Sequence, residues 1–351
     1  MRLPIASRAG TATPFSDSLF TAASATCVTG LVVYDTYTHW SIFGQLVILL
    51  LIQIGGLGFM SMATLISMFL RRKIGLKQRE LMREAVNSMY LGGIVRLTRH
   101  ILIGTILCES IGAILLAIRF CPEMGLWKGI YYAIFHSVSA FCNAGFDLMG
   151  RFSQFSSLTR YSGDVLVNLV IMSLIVIGGI GFFVWEDIYK HKFTFRSYQL
   201  HTKIVLTTTA VLIIVPAILF FLMERGGVLK EMDMLQAAIV SAFQSITPRT
   251  AGFNTIDTAS LRSSTLLLTM ILMMIGGSSG STAGGIKTTT FAVLIISTAS
   301  VVKGRNFLRA YERRLEENAL KRACAVFFTY LCVAVGATLI LSLLQDFTME
   351  Q

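Results

Sequence analysis

Three short apolar stretches end at Gly30, Gly145 and Gly252, and each is followed by a stretch long enough to span a bilayer. The stretches themselves are too brief to cross. The first two, Phe20-Thr-Ala-Ala-Ser-Ala-Thr-Cys-Val-Thr-Gly30 and Phe135-His-Ser-Val-Ser-Ala-Phe-Cys-Asn-Ala-Gly145, carry Phe, Ser, Ala, Cys and Gly at the same five places. The third, Phe243-Gln-Ser-Ile-Thr-Pro-Arg-Thr-Ala-Gly-Phe253, shares the Ala-Gly-Phe ending of the second. A recurring half-crossing helix closed by a glycine turn constrains the fold severely. Non-helical backbone is tolerated at membrane depth only where protein buries it or water wets it.

A chain of 351 residues that is 54% hydrophobic and 14% charged is unusual for a soluble domain. Its apolar blocks suggest crossings near 40–70, 98–120, 162–185, 203–223, 264–301 and 321–345. The start, Met1-Arg2-Leu3-Pro4, lacks the pattern of a cleavable signal. A net charge of +11 would suit a nucleic-acid binder, but 19 of the 30 Lys and Arg fall within 71–99, 190–203 and 303–322. Such loops face the cytoplasm. That distribution removes the support for nucleic-acid binding, and all three glycine turns then enter from the outside. Segment 71–99 is expected to be partly helical, since Arg79 and Arg83 alternate with Glu80 and Glu84. The six cysteines form no CxxC pair and no Cys/His ligand cluster.

The repeating unit reads as crossing, short re-entrant helix, glycine turn, crossing. It divides the chain into 1–95 (partial), 96–202, 203–317, and 318–351, which holds a first crossing alone. The second crossing of each unit carries a further mark: Ile54-Gly-Gly-Leu-Gly-Phe59, Ile177-Gly-Gly-Ile-Gly-Phe182 and, in their place, Ile275-Gly-Gly-Ser-Ser-Gly280. Glycines at the first two sites let backbones pack closely beneath the turns. The third continues as Ser281-Thr-Ala-Gly-Gly-Ile-Lys287, too rich in glycine and hydroxyl residues for a stable helix. A flexible loop in mid-crossing is expected, beside a wet cavity.

Gly280 to Thr288 is nearly a phosphate-binding loop, but Ile286 separates the glycine from Lys287 and no buried strand precedes it. Lys287 fits better as a charge at the cytoplasmic mouth of the cavity, facing water or a carboxylate. Permeating cations exchange hydration for oxygens, which rings of backbone carbonyls supply. A terminal glycine tolerates the positive φ that aims successive carbonyls one way, and a short helix directing its C-terminus at that point adds partial negative charge. Asp35, Asp147 and Asp257 near the outer mouth are candidates for concentrating cations, with ordinary solvated carboxylates the commoner case. His136 and Glu109 lie in apolar surroundings without a nucleophile–base–orienter set, so no enzyme is read here.

The stretches Thr26-Cys-Val-Thr-Gly30, Asn143-Ala-Gly-Phe146, Thr250-Ala-Gly-Phe253 and Gly276 to Lys287 resemble the potassium-translocating subunits of the bacterial Trk/Ktr/HKT superfamily, and the likeness covers nearly the whole chain. The resemblance implies an all-α polytopic membrane fold with parallel membrane–pore-helix–membrane repeats around one pseudo-fourfold pore. It implies a selectivity filter built from the backbones of Val28, Thr29, Gly30, Asn143, Ala144, Gly145, Thr250, Ala251 and Gly252, which would hold K⁺. The implied gate is an intramembrane loop of Gly276, Gly277, Ser278, Ser279, Gly280, Ser281, Thr282, Ala283, Gly284 and Gly285, followed by Lys287. It further implies potassium uptake through a bacterial plasma membrane, stimulation by Na⁺, a homodimer in the lipid bilayer, and a cytosolic ring of nucleotide-binding RCK subunits at the basic face. No organic cofactor is expected in this chain. The first crossing, the fourth pore helix with its turn, the final crossing and its arginine have no counterpart here, so a chain shortened at both ends is expected. The competing readings are a cation-coupled secondary transporter with alternating access, whose repeats are often inverted, and a non-transporting membrane scaffold.

Overall fold

A computed structural model of the chain describes residues 1–58, 94–192, 194–304, 309–311, 313–314 and 317–344. Residues 71–93 of the basic segment 71–99, where partial helix is expected, lie outside the described residues; 94–99 open a long helix. The helices in order are α1 (Phe15–Thr26), α2 (Thr36–His39), α3 (Ile42–Leu57), α4 (Ile94–Met124), α5 (Leu126–Phe141), α6 (Val165–Gly179), α7 (Phe182–His191), α8 (Leu200–Glu224), α9 (Met234–Ile246), α10 (Ser263–Met274), α11 (Thr288–Val302) and α12 (Glu317–Leu344). Among the described residues the protein is all-α apart from one two-residue antiparallel pair, Arg309–Ala310 with Arg313–Arg314.

Local sequence starts these helices in recognisable ways. Asp35 accepts from the Tyr37 and Thr38 amides, Ser41 from Gly44 and Asp164 from Val167, each satisfying an otherwise orphan N–H. Among the described residues three helices are long and apolar enough to span a bilayer: Val95–Met124, Leu200–Glu224 and Asn318–Leu344. At 31 residues α4 runs about 46 Å, ample for a hydrocarbon layer of about 30 Å. Most α12 side chains, among them Val333, Leu339 and Leu343, are exposed. Apolar side chains left outside a protein core in this way suit lipid contact.

Two expected crossings are modified. The stretch 162–185 is not one straight helix: α6 and α7 meet at a bend of 95°. The cause is Gly181, whose φ of +95° ends the helix. Gly58, with φ +80°, ends α3 at the matching point of the first Gly-Gly-x-Gly mark. The stretch 264–301 is split into α10 and α11 by the glycine-rich loop, as its composition leads one to expect.

The short helices α1, α5 and α9 each pack on the apolar helix that follows them, and α5 and α9 also pack on the long helix before them. A second rule joins successive units: α5 packs on α3, and α9 on α6. The contacts include polar links suited to a membrane interior. Tyr131 Oη donates to Gln45 Oε1 (2.9 Å), Gln53 Nε2 to Glu109 Oε2 (3.2 Å) and Ser137 Oγ to the Glu109 carbonyl (2.7 Å). Helix α5 is the centre of the packing, with Ala133, Phe135, His136, Ala140 and Phe141 fully buried.

The described parts of the basic segments gather at one end. Phe195 meets Tyr311 edge-on at 6.1 Å, joining segments 190–203 and 303–322. His100, at the start of α4, lies 3.1 Å from Glu186 on α7. At the other end Glu224 is fully buried and accepts from the Arg262 amide (3.0 Å) and Thr265 Oγ1 (2.6 Å), fastening α8 to the start of α10.

The Gly-Gly pairs serve two different purposes. A Cβ at Gly55 would lie 2.0 Å from the Thr26 carbonyl oxygen, and one at Gly178 the same distance from that of Phe141. The following crossing therefore touches the last carbonyl of the short helix without a side chain between them. At Gly179 the same added carbon would make only an ordinary contact, 3.6 Å from Asn143 Nδ2. Gly178→Ala is expected to cost more than about 3 kcal/mol, since the obstacle is backbone, and Gly179→Ala less than about 1 kcal/mol. Thermal unfolding of the two variants in detergent checks this; equal midpoints would count against the packing described.

Candidate ion-conduction site

The first two glycine turns are built by the same hydrogen bonds. Cys27 N donates to Ala23 O and Thr29 N to Ser24 O (both 2.8 Å); Cys142 N donates to Val138 O (2.9 Å) and Ala144 N to Ser139 O (2.8 Å). Each is a helix end closed by a residue in the left-handed region, Val28 at φ +56° and Asn143 at φ +56°. Neither is glycine. A β-branched residue in that region is strained, so surrounding packing holds it there. Two residues on, Gly30 and Gly145 have φ +81° and +70°. The third turn reaches the same end by another route: Pro248 has no N–H to give, Ala251 N donates to Thr247 O (3.0 Å), and Thr250 and Gly252 take φ +70° and +80°.

These turns meet one another. A Cβ on Gly30 would lie 2.5 Å from the Ala144 carbonyl oxygen, and one on Gly145 would lie 2.6 Å from that of Ala251. The same atom pair is thus in contact at both junctions, as rotation about one axis requires. Gly252 in turn approaches the Gly145 Cα. The middle turn has neighbours on both sides and is the most enclosed: Asn143 and Ala144 are buried, whereas Thr29 and Gly252 are exposed. The C-terminal ends of α1, α5 and α9 lead into this meeting point, bringing their partial negative charge to it.

Side chains hold the descending backbone behind the turns. Ser139 Oγ donates to the Phe146 carbonyl (2.7 Å) and Thr247 Oγ1 to the Phe253 carbonyl (2.6 Å). His136 uses both ring nitrogens: Nδ1 donates to the Tyr132 carbonyl (2.8 Å), and Nε2 accepts from the Leu148 amide (3.3 Å). Its role is to brace the segment after Gly145, consistent with the absence of a catalytic set in the sequence. The hydroxyls went unnoticed there, although Ser139 and Thr247 occupy comparable places ahead of the two Ala-Gly-Phe endings.

The outer carboxylates are occupied by backbone. Asp35 is buried; besides capping α2 it accepts from Phe155 N (3.1 Å), tying the loops beyond the first and second turns. Asp147 accepts from Met149 N (2.8 Å) and Asp257 from Ala259 N (3.0 Å). Leu158 N donates to the Asn254 carbonyl (2.8 Å), and Asn254 N to Ser157 Oγ (3.0 Å), which joins the second and third loops. All three carboxylates accept from nearby backbone; Asp35 is buried, Asp147 partly so, and Asp257 is a solvent-exposed loop carboxylate, the commoner case expected.

The glycine-rich loop is folded, not loose. Its ends are clipped by Gly276 N to the Ile286 carbonyl (3.0 Å) and Ile286 N to the Met274 carbonyl (3.2 Å). Its body docks on the broken end of α6: Ser278 N donates to Gly179 O (2.9 Å), Thr282 N to Gly178 O (3.2 Å), and Phe182 N to Gly280 O (2.7 Å). The 95° bend thus frees backbone groups that this loop satisfies. Gly276, Gly277, Ser278, Thr282 and Ala283 are buried; Ser279, Gly280, Ser281 and Gly285 are partly so, and Gly284 is exposed. Gly277 and Gly276 leave no room for a side chain, with Ala283 Cβ and the Gly284 carbonyl in the way. Lys287 Nζ donates to the Ala283 carbonyl (2.8 Å), so a carbonyl takes the place of the carboxylate or water expected for it. Thr282 reaches the second turn itself, through Phe141 and Asn143.

The arrangement therefore comprises three abutting, carbonyl-bearing turns and one hydroxyl-rich loop seated against the second of them. Among the described residues no cluster of His, Cys, Asp or Glu fit to hold a metal ion occurs. Backbone and hydroxyl oxygens are the ligands such a site offers a cation, a donor set matched to weakly binding monovalent ions.

Comparison with known proteins gives a concordant result. The TrkH family, described as cation transport proteins, matches residues 2–350. The chain is 42% identical over 346 residues to the potassium/sodium uptake protein NtpJ of Enterococcus hirae, spanning 98% of this chain and 75% of that one. It is equally 42% identical over 319 residues to the Ktr system potassium uptake protein B of Bacillus subtilis, covering 90% and 70%. The crystal structure of the potassium transporter TrkH from Vibrio parahaemolyticus shares the fold, with a TM-score of 0.72 at 18% identity, over 93% of this chain and 65% of that one. The chain is a membrane protein and belongs to the TrkH family of cation transport proteins.

Proposed function

We propose that this chain is the membrane-embedded ion-translocating subunit of a potassium uptake system, passing K⁺ through a carbonyl-lined filter above a glycine-loop gate. Val28–Gly30, Asn143–Gly145 and Thr250–Gly252 contribute three parts of the filter, and Gly276–Gly285 with Lys287 is the gate. The observation that supports this most strongly is the contact between the three turns, each with positive φ at the same two places. Alternation of that kind turns backbone carbonyls toward a shared axis, where they replace an ion's hydration shell. The choice of K⁺ rests on the relatives, described as potassium or potassium/sodium uptake proteins. Stimulation by Na⁺ belongs to the same proposal.

The chain divides on this reading into 1–95, 96–202, 203–317 and 318–351, parallel units about one pore. It resides in a bacterial plasma membrane as a homodimer. A cytosolic RCK ring binds the basic end formed around Phe195 and Tyr311. The Ktr system named for the B. subtilis relative supports such a regulatory partner.

Flux in proteoliposomes tests the filter. Gly145→Ser places a side chain against the Ala251 carbonyl at 2.6 Å and at a φ that disfavours it. The ratio of K⁺ to Na⁺ uptake is expected to fall at least about tenfold, the equivalent of about 1.4 kcal/mol of lost discrimination. Gly252→Ser, whose added carbon meets only Gly145 Cα at 3.3 Å, is expected to lower it less. Unchanged ratios in both variants would sink the filter assignment. For the gate, shortening Gly276–Gly285 is expected to raise K⁺ flux; a rate that stays at the parent level would remove the loop from that role.

A further inference from the structure

The glycine-rich loop and the second turn share a hydrogen-bonded node whose polarity can be worked out atom by atom. Thr282 Oγ1 lies 2.9 Å from the Phe141 carbonyl, the last carbonyl of α5, and 3.2 Å from Asn143 Nδ2. A hydroxyl has one proton. A carbonyl can only accept, so the Thr282 proton goes to Phe141, and the hydroxyl oxygen must accept from Asn143. That fixes the amide's orientation: Nδ2 faces Thr282, and Oδ1 faces away. Asn143 is 1% exposed, and its Oδ1 has no partner within the protein. Thr282 is itself buried and anchored by its own amide to the Gly178 carbonyl (3.2 Å). Asn143 sits at φ +56° at the end of α5, a helix-end conformation that asparagine tolerates better than other non-glycine residues.

We infer that Thr282 is a positioning residue for ion selection: the gate loop, while seated, holds the second filter turn in its selective shape through Phe141 and Asn143. The inference rests on the reading of residues 143–145 as filter. Its content is that selectivity and gating are linked on one side of the pore. When the loop leaves its seat, Phe141 loses a donor and Asn143 loses its acceptor together. The freed amide can then rotate, and Oδ1, buried without a partner while the loop is seated, changes its surroundings. The sequence separation of 139 between Asn143 and Thr282 makes this a link that only the fold creates.

The test is the ratio of K⁺ to Na⁺ uptake, measured separately from the total uptake rate, in proteoliposomes holding the full chain. Thr282→Val keeps the shape and removes the hydroxyl; the ratio is expected to fall about fivefold, the value of about one hydrogen bond. Thr282→Ser is expected to restore the ratio to within about twofold of the parent. Asn143→Ala, which cuts the node from the other side, is expected to match Thr282→Val, and the double variant to be no worse than either alone. Should Thr282→Val fail to fold, Asn143→Ala with Thr282→Ser carries the same comparison. A change in uptake rate at an unchanged ratio in Thr282→Val, beside a lowered ratio in Gly145→Ser, overturns the link and leaves Thr282 a part of the gate alone. An unchanged ratio in Gly145→Ser overturns the filter reading, and the link with it.

Discussion

Backbone polar groups that leave a helix in an apolar setting need partners, and the helix ends around the glycine turns are organised around that cost. Three short helices, α1, α5 and α9, end in these turns, and two apolar stretches break, between α6 and α7 and between α10 and α11. Each ending exposes carbonyls or amides that cost several kcal/mol apiece if left unmet. The chain meets them by bringing endings together. The glycines of α3 and α6 approach the last carbonyls of α1 and α5, and the amides and carbonyls freed at the α6–α7 bend pair with the loop between α10 and α11. Remove that mutual satisfaction, and neither the turns nor the loop has a reason to hold its shape.

The same economy explains the supporting side chains. Ser139 and Thr247 each donate to the carbonyl that follows a glycine turn, and His136 accepts from an amide just beyond. Asp35 caps one loop and accepts from another. Polar side chains that might be read as catalytic or ion-attracting are consumed in holding backbone. Among the buried side-chain atoms near the turns that stay without a protein partner are the Asn143 amide oxygen, the Ser24 and Thr250 hydroxyls and, beside the third turn, Gln244 Nε2 and Arg249 Nε. On the filter reading proposed above, backbone carbonyls aimed at by helix C-termini would favour a cation.

Much of this was legible in the chain before any coordinate. The three turns stood out because spacing and residue type recurred, and positive φ falls on the glycines the repeat singled out. The break after Met274 was legible in composition, since glycine and hydroxyl residues cannot sustain a helix in lipid. The matched Gly-Gly-x-Gly marks were read as packing, which Gly55 and Gly178 bear out, but Gly58 and Gly181 turned out to be helix ends. A glycine in a helical run is compatible with close packing or with a stop, and local sequence does not distinguish them. The positive φ at Val28 and Thr250 was not legible, because β-branched residues disfavour it, whereas Asn143 is a residue type that tolerates it.

The sequence by itself determined a membrane protein with apolar crossings interrupted by glycine turns, and its charge pattern sets the expectation that those turns enter from the outside opposite a basic cytoplasmic end. These follow from length, hydropathy and charge, properties that act residue by residue against the bilayer. Tertiary structure alone decided that Gly30 meets Ala144 and Gly145 meets Ala251, that α6 turns through 95°, and that Thr282 reaches Asn143. The physical reason is that each of these joins groups far apart in the chain. Hydrogen bonding at membrane depth requires every polar group to find a partner, but which partner it finds is set by how the helices pack.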